Sequence, residues 1–182
     1  AVPFGENVET SKRGIYRLSE PCYMFWFRFV MPFTSDIERG LGQAVVNALP
    51  EEQINEYLGH RFEALCAEWL ADQAREGALP IAATAVSSWW GTNPAKRAQD
   101  DIDVLAVDRV AKQLLIGECK YRESFDETAE IEDLESKRGL VKDYVATNFM
   151  LFTKHEVSVA TREKMAERAD WHFVTLDEMY EG

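Results

Sequence analysis

The stretch DIDVLAVDRVAKQLLIGECKY, residues 101–121, decides the fold because it predicts two strands joined by a short connection. Both DIDVLAVD and QLLIGECKY are rich in the apolar residues of buried strands. Near the end of the second strand, Glu118 and Lys120 are separated by one residue. Charged side chains avoid apolar strands unless they are paired or serve a function. These two charges therefore mark a candidate functional site.

The two strands form an antiparallel hairpin in our interpretation, and the numbers of facing residues then add to a constant. A turn centred on residues 110 and 111 makes that sum 221. Asp103 then faces Glu118, and Asp101 faces Lys120, at the end of the hairpin away from the turn. Alternation along the first strand places on one face Asp101, Asp103, Leu105 and Val107. The hairpin thus predicts that two carboxylates and one lysine meet on one face.

Such a cluster has a chemical meaning. Adjacent carboxylates repel each other unless one is protonated or a cation lies between them. Mg²⁺ prefers oxygen ligands, and a neighbouring lysine can orient or deprotonate a water or stabilise charge on a phosphate. The spacing Asp-x14-Glu-x-Lys therefore indicates metal-assisted phosphodiester hydrolysis. The alternative is that Lys120 pairs with Asp101 or Asp103 across the strands and leaves Glu118 solvated at a sheet edge.

Helical and strand patterns surround the hairpin. Apolar residues at helical spacing predict a helix over about residues 50–75 that ends near Gly77. Glu63 lies beside its apolar stripe, where a solvated carboxylate is the ordinary interpretation. The other predicted elements are the strand AVSSWWG before the hairpin, then a helix over residues 126–145, the strand NFMLFT, the helix TREKMAERA and the strand WHFVTL. This order predicts an α/β fold, a mixed sheet with helices packed on it.

Two adjacent tryptophans, Trp89 and Trp90, belong to the strand before the hairpin. Neighbouring side chains of a strand point to opposite faces, so at most one of the two belongs to a given core. Packing is the favoured role of the other, and stacking on a nucleic-acid base is the alternative.

The first 49 residues carry weaker signals. Within SKRGIYRLSEP, the residues IYRL predict a short strand that ends at Pro21. The aromatic stretch YMFWFRFVMPF predicts a buried or interface-forming segment. Residues 35–49 predict one short helix, capped by Ser35 or Asp36 and weakened by two glycines.

The composition limits the classes of function. The 182 residues are 46% apolar and carry a net charge of −12, which favours a folded domain and disfavours nonspecific attraction to nucleic acid. No apolar run is long enough for a membrane span. The three cysteines and three histidines are scattered without zinc-ligand spacing, and they favour a reducing, cytoplasmic location. The chain begins at Ala1, and we interpret it as a piece of a longer protein.

The hairpin motifs resemble the PD-(D/E)xK nucleases, the restriction-endonuclease-like superfamily. By position, the resemblance implies that Asp103, Glu118 and Lys120 are the motif aspartate, glutamate and lysine, and that Glu63 in GHRFEALCAEWL is the helix glutamate. It also implies that the Cys119 peptide carbonyl is a further ligand of Mg²⁺ or Mn²⁺. One departure is Ile102, which stands where the superfamily name has proline.

A narrower resemblance covers most of the chain. Together with WWG, DIDVLAVD and GECKY, the stretches RGIYRLSEPCYMFWFRFVMPFTSDIERG and YLGHRFEALC are similar to the C-terminal region of archaeal and bacterial AAA-type ATPases. This region has unknown function in that family. The resemblance implies that residues 1–20 end a winged-helix segment with a wing strand, residues 21–49 are an aromatic connector with a short helix, and residues 50–182 are the nuclease-like domain. No G-x-x-x-x-G-K-[ST] loop is present, so ATP would act only through a module that this chain does not carry.

Two functional hypotheses follow from the residues and the resemblance. In the first, the chain is a magnesium-dependent DNA endonuclease domain, a hydrolase in which Lys120 activates or positions the water. In the second, it is a catalytically silent DNA-binding or regulatory module of the same ATPase, which docks through the aromatic stretch on the ATPase module or on a second copy. The basic residues expected to hold DNA phosphates are Lys96, Arg97, Arg122, Lys137 and Arg138.

Overall fold

We analysed a computed structural model of the chain, which describes residues 1–16, 18 and 20–180. The helices are α1 (Pro21–Phe25), α2 (Thr34–Glu38), α3 (Gly42–Ala48), α4 (Glu51–Glu76), α5 (Glu127–Ser136) and α6 (Val159–Met165). A π-helical turn (Trp26–Val30) and a 3₁₀ turn (Met31–Phe33) continue α1. The strands are β1 (Ala85–Asn93), β2 (Ala98–Asp108), β3 (Gln113–Lys120), β4 (Val145–Thr153) and β5 (Trp171–Thr175).

The five strands form one mixed sheet in the order β1-β2-β3-β4-β5. Strands β1, β2 and β3 are antiparallel neighbours, whereas β4 and β5 run parallel to β3. The predicted hairpin sum of 221 is confirmed, because the β2–β3 ladder runs from Asp108 opposite Gln113 to Val104 opposite Gly117. The α/β fold with a mixed sheet and flanking helices is therefore confirmed.

A β-bulge changes which face the first hairpin strand presents. Along β1, Ser87 and Trp89 are two residues apart, but their β2 partners Leu105 and Ile102 are three apart. Ile102 and Leu105 consequently enter the same core cluster, and Val104 enters the other. The prediction that Asp103 shares a face with Leu105 is wrong, because strict alternation does not hold across a bulge.

Helices cover both faces of the sheet. On one face, α4 packs Phe62, Cys66 and Leu70 against β2, β3 and β4. On the other face, α5 contributes Ile131 and Leu134 to a second cluster, and α6 adds its Met165 there. Strand β4 is buried without interruption from Phe149 to Thr153, as expected for a strand between two others and beneath two layers.

Two of the predicted helices are shorter than expected or are interrupted. The helix over residues 50–75 is confirmed as α4, which ends at Glu76 and is followed by Gly77 in the left-handed conformation with φ of 70°. The helix expected over residues 35–49 is two helices, α2 and α3, interrupted at Gly40, whose φ is 82°. The helix expected over residues 126–145 ends at Ser136, so α5 has 10 residues.

The segment before α2 also differs from prediction. Ile15, Tyr16 and Leu18 lie outside the helices and strands, so the strand expected there is absent from them, and Arg17 lies outside the described residues. The aromatic stretch is helical and mostly exposed, with Phe29 as its buried aromatic residue. Across the described part of the chain, no helix combines the length and apolar character needed to cross a membrane.

Candidate metal and phosphate site

A cleft of about 640 Å³ opens at the end of the hairpin that lies away from its turn. Helix α4 forms one wall, and the ends of β2, β3 and β4 form the other. The sequence-predicted residues that line it are Glu63, Asp103, Glu118, Cys119, Lys120 and Arg122. The fold thus brings the predicted helix glutamate to the same cleft as the hairpin carboxylates, although 39 residues of sequence lie between Glu63 and Asp103.

Asp103 lies at the β2 bulge, in the floor of this cleft. Its carboxylate oxygen Oδ2 accepts a hydrogen bond from the Cys119 backbone N–H at 2.8 Å. Burial and the nearby Glu118 carboxylate raise the pKa of Asp103 to about 8, and Glu63 adds to this rise. The hydrogen bond from Cys119 lowers the same pKa but does not offset them. The crowding of negative charge that the sequence predicted around Asp103 is therefore present.

Glu63 projects from α4, one turn before the buried Cys66. Its Oε1 lies 3.3 Å from Nδ1 of His60, one turn earlier on the same helix. Because α4 packs its apolar side on the sheet, this flank of the helix faces the Asp103 end of the hairpin. Glu63 is about one-third exposed, so it lies at the mouth of the cleft and not in open solvent.

Glu118 and Lys120 form a partly buried ion pair instead of two separate charges. Lys120 Nζ lies 2.9 Å from Glu118 Oε1 and 3.0 Å from Glu130 Oε2 on α5. Burial lowers the pKa of Lys120, but these two carboxylates raise it more, so the amine stays protonated. As found here, Lys120 is suited to stabilise or orient a negative group and not to accept a proton from water.

These pairs overturn two expectations about the hairpin. The β2–β3 ladder ends at Val104 opposite Gly117, so Asp101 and Asp103 are not paired with Lys120 and Glu118 in the register. Lys120 instead contacts Glu118 and Glu130. Glu118 is not solvated at a sheet edge, because β3 is the central strand and the Glu118 side chain is only 13% exposed. The alternative in which Lys120 pairs with Asp101 or Asp103 is therefore wrong.

Lys137 is the most deeply buried of the predicted DNA contacts. Its side chain is 3% exposed, and its Nζ lies 3.3 Å from Glu118 Oε2, 3.0 Å from Asp133 and 3.7 Å from Asp100. Burial alone lowers the pKa of Lys137, but the Glu118, Asp133 and Asp100 carboxylates raise it above its ordinary value. The burial of this amine behind Glu118 disfavours the predicted contact of Lys137 with DNA.

The other predicted DNA contacts are divided between three places. Lys96 and Arg97 lie at the turn between β1 and β2, where Lys96 binds Asp100 and Asp133. Arg138 donates to the Ala146 carbonyl at 2.9 Å and lies over the Phe149 ring, so part of its polar surface is committed to the fold. Arg122 is exposed and lines the cleft. The predicted residues therefore do not form one basic surface.

Sequence reasoning missed a second cation at the cleft. Lys154 follows β4, lines the cleft opposite α4, and pairs with Glu123 while its Nζ lies 5.3 Å from the centre of the Tyr121 ring. Its position follows from the parallel register, in which Lys120 pairs with Thr153. The sequence feature that could have predicted Lys154 is the polar pair Thr153-Lys154 at the end of an apolar strand. It points to the cleft only when β4 is known to lie beside β3.

The donor set fits a hard divalent cation. Glu63, Asp103 and Glu118 offer carboxylate oxygens, and a cation among them would relieve the repulsion that raises the pKa of Asp103. In the ranges 1–16, 18 and 20–180, no three His, Cys, Asp or Glu side chains are yet arranged to hold a metal ion together. Glu118 instead has one oxygen near Lys120 and the other near Lys137.

A smaller cleft of about 390 Å³ lies beside the first and shares Glu63, Asp101 and Asp103 with it. The two tryptophans behave as the alternation predicts: Trp89 enters the core, and half-buried Trp90 lines this second cleft. The Trp90 indole N–H donates to the Arg13 carbonyl at 3.2 Å, so residues before the first helix hold the ring.

Comparisons with known proteins agree with this description and assign no activity. An uncharacterized protein of Methanocaldococcus jannaschii is 28% identical over 141 residues, which are 76% of this chain and 30% of that protein. The crystal structure of protein VC1899 from Vibrio cholerae matches with a TM-score of 0.51 at 20% identity, over 73% of this chain and 34% of that one, and it shows the fold alone. This chain thus spans about one-third of the length of each.

A family model covers the part of the chain that carries the cleft. It describes archaeal and bacterial proteins of unknown function, and it matches residues 26–131, from the aromatic stretch through α4 and the hairpin into α5. The match includes the four residues Glu63, Asp103, Glu118 and Lys120 and more than half of the 182 residues. The chain therefore belongs to the DUF234 family.

Proposed function

We propose that the cleft is the active site of a PD-(D/E)xK nuclease-like domain that hydrolyses phosphodiester bonds of DNA with Mg²⁺ or Mn²⁺. The observation that carries this proposal is the convergence of Glu63, Asp103, Glu118 and Lys120 on one cleft from three separate elements. Charged residues without a shared role would be spread over the surface, whereas catalytic residues must lie within reach of the same reacting group. Fold alone does not decide activity, so the proposal depends on this geometry and on the sequence motifs.

The residues divide into distinct roles. Asp103 and Glu118 would hold the cation with the Cys119 carbonyl, and Glu63 would bind it directly or through a water. When bound, a divalent cation supplies Lewis acidity and lowers the pKa of a coordinated water. Lys120 stays protonated beside Glu118 and would stabilise the negative charge of the scissile phosphate. Arg122 and Lys154, on the opposite side of the cleft from α4, would receive the flanking phosphates.

A second function has its own supporting observation. Two lysines already neutralise Glu118, so this carboxylate does not need a metal to be stable in the cleft. The chain would then be a silent DNA-binding or regulatory module of a larger ATPase, and the net charge of −12 agrees with weak intrinsic affinity for DNA. The exposed aromatic residues of α1 and the following turns would be its docking surface.

A nuclease assay separates the two functions. Duplex, single-stranded and branched DNA are incubated with Mg²⁺ or Mn²⁺ and with wild type, Asp103→Ala or Lys120→Ala. Lys112→Ala and Asp36→Ala, two substitutions of the same residue types outside the cleft, are the controls. We expect cleavage by wild type and by both controls and none by the cleft variants. Cleavage that survives both cleft substitutions refutes the nuclease, and absent cleavage without metal binding at millimolar concentration supports the regulatory module.

A further inference from the structure

One carboxylate of the cleft, Glu118, is held from two sides by lysines that differ in accessibility. Lys120 approaches Oε1 at 2.9 Å from the cleft, and its side chain is 15% exposed. Lys137 approaches Oε2 at 3.3 Å from the α5 side, and its side chain is 3% exposed. A cation entering from the cleft can therefore replace Lys120 at Oε1, but it cannot reach the oxygen that Lys137 holds.

Lys137 is anchored in its place independently of Glu118. It follows directly on α5, and its amine also lies 3.0 Å from Asp133, one turn earlier, and 3.7 Å from Asp100 of β2. Three carboxylates from three elements therefore surround a single buried amine. An anchored cation of this kind fixes the orientation of a flexible glutamate side chain, as partners behind metal ligands commonly do.

We infer that Lys137 is a positioning residue that holds Glu118 Oε2 permanently, while Lys120 occupies Oε1 only until a divalent cation takes its place. This inference rests on the proposed metal site. It assigns opposite effects to two lysines that contact the same carboxylate. Lys120 competes with the cation, whereas Lys137 prepares the carboxylate for it.

Simple electrostatics predicts something different, which makes the inference testable. Each lysine carries one positive charge near Glu118, and removal of either charge alone should tighten the binding of a cation. If Lys137 positions Glu118, removal of Lys137 should weaken cation binding instead of tightening it, because a misoriented Glu118 is a poorer ligand. Removal of Lys120 should still not weaken it. Loss of a partner that orients a metal ligand typically weakens metal binding about 10- to 100-fold.

The experiment measures Mn²⁺ affinity by electron paramagnetic resonance for wild type, Lys120→Met and Lys137→Met. Lys96→Met is the matched control, because Lys96 binds the same Asp100 and Asp133 but is not paired with Glu118. We expect tighter or equal binding for Lys120→Met, wild-type affinity for Lys96→Met, and binding weakened at least about 10-fold for Lys137→Met. Lys137→Arg, which keeps the charge, should restore part of the affinity.

Folding is controlled separately, since a buried pair that loses one partner is strongly destabilised. The double variant Asp100→Asn/Lys137→Met removes one of the carboxylates left without its lysine, and circular dichroism shows which variants are folded. Folded Lys137 variants that bind Mn²⁺ as tightly as wild type, or more tightly, overturn the inference and leave the proposed function standing. Wild type that binds no Mn²⁺ at millimolar concentration overturns both.

Discussion

Asp103→Asn should make the metal-free protein more stable at alkaline pH and abolish its stabilisation by Mg²⁺. Asp103 has a pKa of about 8 in the folded protein, because burial and the Glu118 and Glu63 carboxylates disfavour its charge. An unfolded aspartate has a pKa of about 4. The folded state therefore binds more protons than the unfolded state between these values, and the free energy of unfolding falls as the pH rises from about 4 to about 8.

The size of the effect follows from that interval. A difference of about 4 in pKa corresponds to an upper limit on the order of 5 kcal/mol at pH 9. Asp103 is partly exposed to the cleft, where water screens its charge, so we expect about 2 kcal/mol. Asparagine stays neutral, and its side-chain oxygen can still accept the Cys119 N–H that Asp103 accepts at 2.8 Å. Asp103→Asn should thus resemble wild type at pH 5 and be the more stable protein at pH 9.

Urea denaturation at intervals from pH 5 to pH 9 measures this difference. Comparison of the two proteins cancels other titrations, such as that of His172, whose pKa is lowered by burial. Asp143→Asn, at an exposed carboxylate outside the cleft, is the control and should change stability little. A difference between wild type and Asp103→Asn that does not grow with pH refutes the reasoning.

The same variants report on the metal. At 10 mM Mg²⁺, a site with a Kd of about 1 mM stabilises the folded state by about 1.4 kcal/mol. Wild type should gain this stability at pH 9, and Asp103→Asn should not, because its amide is a much weaker ligand than a carboxylate. An equal gain in both proteins would place the bound Mg²⁺ away from Asp103.

Three further substitutions test the scaffold by chemical denaturation. Gly117→Ala places a Cβ 2.9 Å from the Val104 side chain, between the last ladder pair of β2 and β3, and should cost about 1–3 kcal/mol. Leu134→Ala removes a fully buried side chain of α5 and should cost about 2–5 kcal/mol. Ser158→Ala removes the hydroxyl that accepts the Thr161 N–H at the start of α6 and should cost about 1 kcal/mol. Losses below about 0.5 kcal/mol at these sites would contradict the packing described for them.

Periodicity and turn position were sufficient to predict most of the sheet and α4. The β2–β3 ladder kept the predicted sum because a short connection leaves one register for two strongly apolar strands. Periodicity could not predict which face of the sheet carries Asp103. The bulge places one extra residue of β2 opposite β1, and nothing within DIDVLAVD indicates it. α5 was predicted too long because Val141 and Tyr144 continue an apolar pattern after the helix has ended at Ser136.

The sequence predicted part of the lining of the candidate cleft, but it did not predict which side chains pair there. The motif spacing selected Asp103, Glu118 and Lys120, and the resemblance to the PD-(D/E)xK nucleases added Glu63, without any knowledge of which carboxylate each lysine would bind. Pairing depends on the layer above the sheet: α5 brings Glu130 to Lys120 and places Lys137 behind Glu118. Because Asp103 faces α4 and Glu118 faces α5, the two carboxylates reach the cleft from opposite layers. A cation joining them would therefore couple the α4 layer to the α5 layer, and the lysines on Glu118 determine how readily that coupling forms.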